Sequence, residues 1–565
     1  MRRVVLLAAL LATGCGPPAQ PPVPPVLATD SPRAGPGWFE DATDRLGVRF
    51  IHDPGPTGQY FMPQSMAAGC AVFDADGDGR MDLLLLQTAG PGSGKTNALY
   101  LQNPDGTFRD ASAGSGLDFD GHNVGVAVGD VDNDGRPDVL ITRYTGARLF
   151  RNEGGGKFRD VTAASGVNNP LWGASASFFD YDRDGKLDLV VVNYIDYDAS
   201  WPCSAPDGTR DYCGPKTFPG TAARLFHNLG VKDGVPTFAD VTVPAGLGAK
   251  TGPGLGVYCA DLTGDGWPDV FVANDGKPNF LWVNQTDGTF KEEALSRGLA
   301  FTGMGHSYAN MGVAAGDLDG DGLLDLFVTH LTSETNTLWK QGPPGQFKDA
   351  TTSANVTRTR WRGTGFGTLA ADFDLDGRLD LAIVNGRVYR GPPADAPHLP
   401  DFWRPYGERN QLLRNAGDGK FEDVSAADPA FCGRPNVGRG LACGDLDGDG
   451  RPDLLVLATA DRARVYTNAT TGGHWLGVRG TDPALGGRDL YGTELRLTAG
   501  GKTLLRVIQP ADSYLSSSSP EALFGLGARD TFDGIEARWP DGTRETFPGG
   551  PADRRLVLEK GKGRP

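Results

Sequence analysis

The pattern D-x-D-x-D-G-x-x-D recurs along this chain, and no other feature restricts its fold as strongly. Six copies are complete: Asp74, Asp76, Asp78 and Asp82; Asp130, Asp132, Asp134 and Asp138; Asp180, Asp182, Asp184 and Asp188; Asp317, Asp319, Asp321 and Asp325; Asp372, Asp374, Asp376 and Asp380; Asp445, Asp447, Asp449 and Asp453. A seventh, fourth in chain order, reads Asp261, Thr263, Asp265 and Asp269, with Thr in place of the second Asp. Carboxylates so crowded repel one another at neutral pH unless something positive sits among them. Oxygen side chains at positions 1, 3, 5 and 9, a glycine at 6 and a free carbonyl at 7 suit a hard cation with six to eight oxygen ligands. Calcium fits best, as up to seven structural ions.

A single Asp-Gly loop could be a plain hairpin turn, but seven copies at one spacing are not accounted for that way. An EF-hand needs a Glu at position 12 and flanking helices. Here each loop runs into an apolar β-type segment, such as LLLL after Asp82, VLIT after Asp138 or LVVV after Asp188. The loops therefore join strands. Charge agrees: of the 70 acidic residues, six loops with four Asp and one with three supply 27, against 54 Lys and Arg and a formal charge of −16. That acidity points to metal and excludes nucleic acid, whose phosphates it would repel.

A second module alternates with the first: an apolar pair, Asn, a Gly-rich turn, then Phe-x-Asp, as in LYLQNPDGTFRDAS and RLFRNEGGGKFRDVT. Each unit is then four strands. Successive loops start 56, 50, 81, 56, 55 and 73 residues apart, the size of four-stranded propeller blades with insertions. With 82 Gly, 41 Pro and no long helical periodicity, the expected class is all-β, a seven-bladed β-propeller over residues 38–470 plus a small β domain over 474–560. The chain opens on a Phe-x-Asp module without a loop (Phe39 to Asp41), and the seventh loop is followed by ARVYTN without one. The amino-terminal strand is predicted to complete the last blade and remove the open sheet edge.

These repeats resemble the FG-GAP or VCBS-type repeats of integrin-alpha-like propellers. The order of segments, including ANMGVAAGDLDGDGLLDLFVTHLTSETNTLW and TGFGTLAADFDLDGRLDLAIVNGRV, is similar to the cartilage-acidic-protein-like family. From His474 the pattern changes to HWLGVRG, YGTELRLTAGGKTLLRVIQPADSYLSSSSPEALFGLG and DGIEARWPDGTRETF. Its alternation predicts antiparallel strands covering one face, and it resembles the ASPIC/UnbV domain of the same family. The resemblance implies no chemistry for that domain, which is expected to bind or pack.

Residues 1–15 have the charged and apolar regions of a secretory signal. The run ends in LATGC, which resembles a bacterial lipobox with Cys15 as the lipidated residue; an ordinary signal peptide is the alternative. Residues 16–37 read as a proline-rich tether. The expected location is outside the cytoplasm, anchored to a bacterial outer membrane or cell surface by lipid alone. Of the six remaining cysteines, Cys203 and Cys213 could bridge a short loop, Cys432 and Cys443 could form a second pair, and Cys70 and Cys259 read as buried thiols.

Residues 89–96 match a loose P-loop, but the strand-like ALYLQN follows where a phosphate-binding helix is required, so no nucleotide is expected. The seven histidines form no closely spaced ligand set, and Ser516 to Ser519 lie in no nucleophile elbow. The asparagine sequons at Asn284, Asn355 and Asn468 read as chance beside a lipobox. Both large insertions, 196–220 and 391–409, fall at the second connection of a unit, which emerges opposite the metal loops. That face would gather Trp172, Trp201, His306, Tyr308, Arg360, Trp361, Arg362, Trp403, Arg404 and Tyr406, types enriched at interaction surfaces, unless they pack the insertions onto the ring. The leading expectation is a non-enzymatic, calcium-binding adhesion or recognition module for a protein or glycan. The alternative is an enzyme acting on a polysaccharide or small molecule, with His306, Arg360 and Tyr406 moving protons.

Overall fold

The computed structural model describes residues 37–205 and 207–565; the signal, Cys15 and nearly all of the tether lie outside them. The described chain is all-β, built from four-stranded antiparallel sheets with only short helical turns. Seven of the sheets each carry one Asp loop between their first and second strands. The first comprises Cys70–Phe73, Asp82–Leu85, Ala98–Gln102 and Phe108–Asp110, and the others repeat its order. The second strand begins at the ninth loop residue every time, as at Asp82, Asp138 and Asp188, so no EF-hand helix follows.

The seventh sheet takes its fourth strand from the far end of the chain. Phe39–Asp41 pairs antiparallel with Arg464–Asn468, Phe39 opposite Asn468, as the opening Phe-x-Asp module predicted. Phe39 is buried between Phe373 and Phe431, ring centroids 5.3 and 5.8 Å away.

The innermost strands, Cys70–Phe73, Asn123–Gly129, Gly173–Phe179, Gly254–Ala260, Val313–Gly316, Gly365–Ala371 and Gly438–Gly444, pack each beside the next, and the last beside the first. Glycine makes this approach possible. Gly69, Gly125, Gly256, Gly312, Gly367 and Gly440 each stand five residues before a loop, with Ser175 at that place in the third unit. A Cβ on Gly312 would lie 2.0 Å from the Phe366 carbonyl oxygen, and one on Gly256 2.3 Å from that of Met311. No side chain fits there.

The carboxyl-terminal unit has two sheets. One is antiparallel, built on Glu494–Ala499, Lys502–Val507, Thr531–Arg538 and Arg544–Pro551. The other corrects the all-antiparallel expectation, because Arg554–Glu559 runs parallel to His474–Asp482. Its core is continuous with that of the loop-bearing sheets: Leu476, Val478 and Trp539 share one apolar cluster with Ala127, Phe178 and Leu187.

Residues 509–519 of this unit run among the seven innermost strands and bond to all of them. Ser517 N–H donates to the Cys70 carbonyl (3.0 Å), Val126 N–H to the Leu515 carbonyl (3.0 Å), and Leu515 N–H to Ser175 Oγ (3.1 Å). Gln509 Nε2 donates to the Cys259 carbonyl (2.9 Å), Ser513 N–H to the Val313 carbonyl (2.8 Å), Thr368 N–H to Ser513 Oγ (3.1 Å), and Ser519 N–H to the Cys443 carbonyl (2.8 Å). The innermost strands already pair on one side only, so this segment satisfies backbone groups that would otherwise line an open channel. Nothing periodic in the sequence announces it.

Cys203 and Cys213 form the expected disulfide, with Cα atoms 5.2 Å apart. Cys432 and Cys443 do not pair; both are unbridged thiols, as are the buried Cys70 and Cys259. Cys432 ends a short helix and packs around Phe431, while Cys443 lies on an innermost strand beside the inserted segment.

Candidate metal loops and the surfaces around them

Each loop is organised by its first and ninth residues. In the second loop, Asp130 Oδ1 accepts from Asp134 N–H (3.1 Å) and Oδ2 from Gly135 N–H (2.8 Å), which winds the backbone around that carboxylate. Asp138 Oδ2 accepts from Val131 N–H (3.0 Å), and Oδ1 from Asn152 N–H (2.7 Å) on the third strand. The ninth residues Asp82, Asp188, Asp269, Asp325, Asp380 and Asp453 repeat both bonds. They are therefore clamps as well as candidate ligands, tying the loop to the Asn turn by charge-assisted bonds.

The Asn of the second module has a role beyond its turn. Asn152 Nδ2 donates to the Ala75 carbonyl in the preceding sheet's loop (3.1 Å), Asn228 to Val131 (2.9 Å), Asn284 to Tyr181 (2.8 Å), Asn415 to Leu318 (2.9 Å) and Asn468 to Phe373 (2.9 Å). Gln102 of the first sheet reaches Leu446 in the seventh loop (2.6 Å). Gln341 bonds only within its own sheet, to the Leu324 carbonyl and Gly345 N–H. The junction without this staple lies beside the fourth loop, the one that carries Thr263.

The oxygens converge. Ligand atoms of Asp74, Asp76 and Asp78, of Asp130, Asp132 and Asp138, of Asp180, Asp182 and Asp188, and of Asp317, Asp319 and Asp321 lie within 4.8 Å of one another in each set. The third position is decisive: Asp132 Oδ1, Asp374 Oδ1 and Thr263 Oγ1 are all buried without a hydrogen-bond partner. A buried acceptor left bare is costly, and a cation at the centre of the loop would satisfy all three. Thr263 keeps an oxygen at that place, so the donor set of the fourth loop remains oxygen-only. Burial, reinforced by neighbouring loop carboxylates, pushes the carboxyls of Asp82, Asp130, Asp188 and Asp372 up to about 7, and that of Asp325 up to about 8. Asp138, Asp269, Asp380 and Asp453 are raised well above the carboxylate range for the same reasons. Groups this reluctant to ionise need a proton or a metal ion.

The loops differ in what else is positive nearby. In the second, Arg151 Nη2 lies 2.8 Å from Asp134 and its Nε also bonds Asp132; in the fifth, Lys340 Nζ lies 3.2 Å from Asp319. The equivalent position in the third loop holds His227, whose Nδ1 is 3.1 Å from Asp188 Oδ1 and groups with Asp182 and Asp184. One histidine thus stands beside loop carboxylates, although the seven form no closely spaced set among themselves. It was legible as HN where two other modules have RN, but only the fold brings strand three over the loop.

The carboxyl-terminal unit packs on the loop side of the sheets. Arg538 Nη2 donates to Asp261 Oδ2 (2.7 Å), Arg555 pairs with Asp445, and Arg506 lies 4.0 Å from Asp372 Oδ2. Gly525 N–H donates to the same Asp372 oxygen (3.0 Å), and Arg496 to the Gly322 carbonyl (3.2 Å). First-position carboxylates of the fourth, sixth and seventh loops are thus shared with arginines of the covering unit.

The opposite side carries both insertions, and there the aromatic set divides. Trp172, Trp403 and Tyr406 are buried, which removes them from any docking surface. Trp172 packs against Tyr144 and Tyr194, Trp403 against Tyr212 and Phe402, and the Tyr406 hydroxyl donates to Asp211 Oδ1 (2.8 Å). Trp201, 55% exposed, remains outside, as do His306 and Arg360, with Tyr308, Trp361, Arg362 and Arg404 half-buried. His306 and Tyr308 rings lie 5.8 Å apart, Trp361 Nε1 donates to the Asn410 carbonyl, and Arg404 pairs with Asp401 at 3.1 Å. After residues 89–96 comes the strand Ala98–Gln102.

The FG-GAP-like repeat family matches residues 74–141, 130–191, 261–328, 317–383 and 399–456, and the ASPIC and UnbV family matches residues 485–565. Cartilage acidic protein 1 of Mus musculus is 28% identical over 316 residues, covering 55% of this chain and 45% of that protein. Its Xenopus tropicalis counterpart is 28% identical over 320 residues, with the same shares. The chain spans about half the length of these relatives. Among solved structures, an Agrocybe aegerita lectin that recognises non-reducing terminal N-acetylglucosamine is 17% identical, with 66% of this chain and 84% of that chain covered and a TM-score of 0.37. The repeat matches span more than half of the chain, and the last domain follows them in order. The chain therefore belongs to the FG-GAP-like repeat family, joined to an ASPIC and UnbV domain in a cartilage-acidic-protein-like protein.

Proposed function

We propose that this protein is a closed, seven-bladed, calcium-braced propeller that binds a protein or glycan through its insertion-bearing face. The observation that carries the reading is an asymmetry of cover. One side of the ring is occupied by the carboxyl-terminal unit and its middle by residues 509–519, while the other side presents loops fixed by the Cys203–Cys213 disulfide and by buried aromatics. Rigid loops on a rigid ring lose little entropy on docking. Seven like sheets, innermost strands adjacent from last to first, and a fourth strand borrowed from the amino terminus support closure.

Calcium would be held by the first, third, fifth and ninth residues of each loop, and the bare oxygens at the third position support that assignment. It would supply positive charge to turns that otherwise repel. We read the protein as non-enzymatic: Tyr406, one of the three proton-transfer residues of the enzymatic alternative, is buried and committed to Asp211. Lipid anchoring through Cys15 and an extracytoplasmic location remain part of the proposal. A glycan array and a pull-down with lipid-free protein test it, comparing wild type with a Trp201→Ala, His306→Ala double variant. A ligand captured by wild type and lost by the variant is expected; equal capture by both would move the binding surface elsewhere.

A further inference from the structure

Beside the inserted segment, between it, the fourth to seventh sheets and the carboxyl-terminal unit, lies a cavity of about 120 Å³. Small side chains such as Ala315 and Ala370 leave the space. At roughly 30 Å³ per water molecule in the liquid, it has room for a few waters or one ion with part of its shell.

The cavity wall is polar and its charge is unbalanced. Asp512 is half-buried and lines the cavity; Oδ1 accepts from Ser518 Oγ (3.0 Å), and among the described residues no salt bridge reaches it. The other wall acids are each reached by an arginine: Glu521 Oε1 accepts from Arg555 Nε (2.9 Å), the same Arg555 pairs with Asp445, and Asp372 lies 4.0 Å from Arg506. The Tyr258 phenol also lines the space, is buried, and makes no hydrogen bond among the described residues. An ionised carboxylate in such a place, with no partner charge, is strongly unfavourable.

We propose that this cavity holds one partly hydrated monovalent cation, with Asp512 as its charged ligand and the hydroxyls of Tyr258 and Ser518 beside it. Asp512, the one wall acid that no salt bridge reaches among the described residues, offers a single carboxylate to a single positive charge, whereas the surface loops offer three or four carboxylates to a divalent ion. Burial alone pushes the Asp512 carboxyl up to about 7, so near neutral pH a cation competes with a proton on even terms. The proposal does not depend on whether the loops hold calcium.

The test is the melting temperature of the full chain at saturating calcium in sodium, potassium or choline chloride of equal ionic strength. Sodium or potassium is expected to raise Tm by about 2 °C over choline, Asp512→Asn to erase that difference, and Tyr258→Phe to reduce it. Elemental analysis of dialysed protein should find one alkali ion per chain. Equal Tm in all three salts, or an increment that survives in Asp512→Asn, would overturn the proposal and leave a protonated Asp512 facing water. Repeating the series with calcium chelated separates the two readings: an alkali increment that persists while calcium has no effect sinks only the calcium assignment. Should Asp512→Asn not fold, the wild-type salt series, the ion count and Tyr258→Phe still decide.

Discussion

The two sides of the seven loop-bearing sheets are made from the same units yet obey different rules. On the loop side every turn repeats the same oxygen side chains, with Thr263 for one Asp, the same two clamping bonds and, at six of the seven junctions, the same amide staple. On the insertion side no two connections are alike. Repetition on one side means that a single physical requirement, neutralising clustered charge, is met seven times; irregularity on the other means each connection is free to vary without disturbing its neighbours.

Removing divalent ions should give the largest effect, and only on the loop side. A site held at a hundredfold its Kd contributes roughly 2.7 kcal/mol, so chelation is expected to lower Tm steeply and reversibly, as read by calorimetry. Its pH dependence has a definite sign. Carboxyls raised toward 7 in the folded chain keep protons that the unfolded chain has released, so the chelated protein should lose stability as pH rises from about 4 to 7. Calcium, by displacing those protons, should flatten that slope; a chelated protein most stable at pH 8 would contradict it.

Smaller effects sharpen the contrast. Asp380→Ala removes acceptors for the Phe373 and Asn415 N–H groups and should cost about 3–6 kcal/mol by denaturant titration, at two charge-assisted bonds of roughly 1.5–3 kcal/mol each. Arg538→Ala, which frees Asp261 from the covering unit, should cost about 1–2 kcal/mol while tightening calcium at the fourth loop, measurable by calorimetric titration. Trp201→Ala on the other side should change stability by less than about 0.5 kcal/mol and affect only ligand capture.

How legible each side was follows from the same contrast. The loops, the four-strand units and the exchanged strand at Phe39 could be read because a repeated pattern averages out local ambiguity. The glycine five residues before six of the seven loops was nearly as periodic, and its purpose, strand-to-strand approach at the centre, needed only the fold to be seen. Asn152 and its counterparts were visible as turn residues, but a bond to the neighbouring sheet's loop is a non-local fact. Trp403 and Tyr406 misled because an aromatic in an insertion reads the same whether it meets solvent or Tyr212. Residues 509–519 occur once and carry no repeat, so their place was hidden entirely.

That last segment sets an order on the making of the molecule. The piece that fills the centre is synthesised after all seven sheets, and it bonds to every one of them. Any chain cut short before residue 509 has its hub missing and seven rows of strand backbone bare to solvent, so nascent protein of almost any length is unfinished in the same spot. Completion arrives late and all at once, which makes residues 509–519 a checkpoint for all seven sheets.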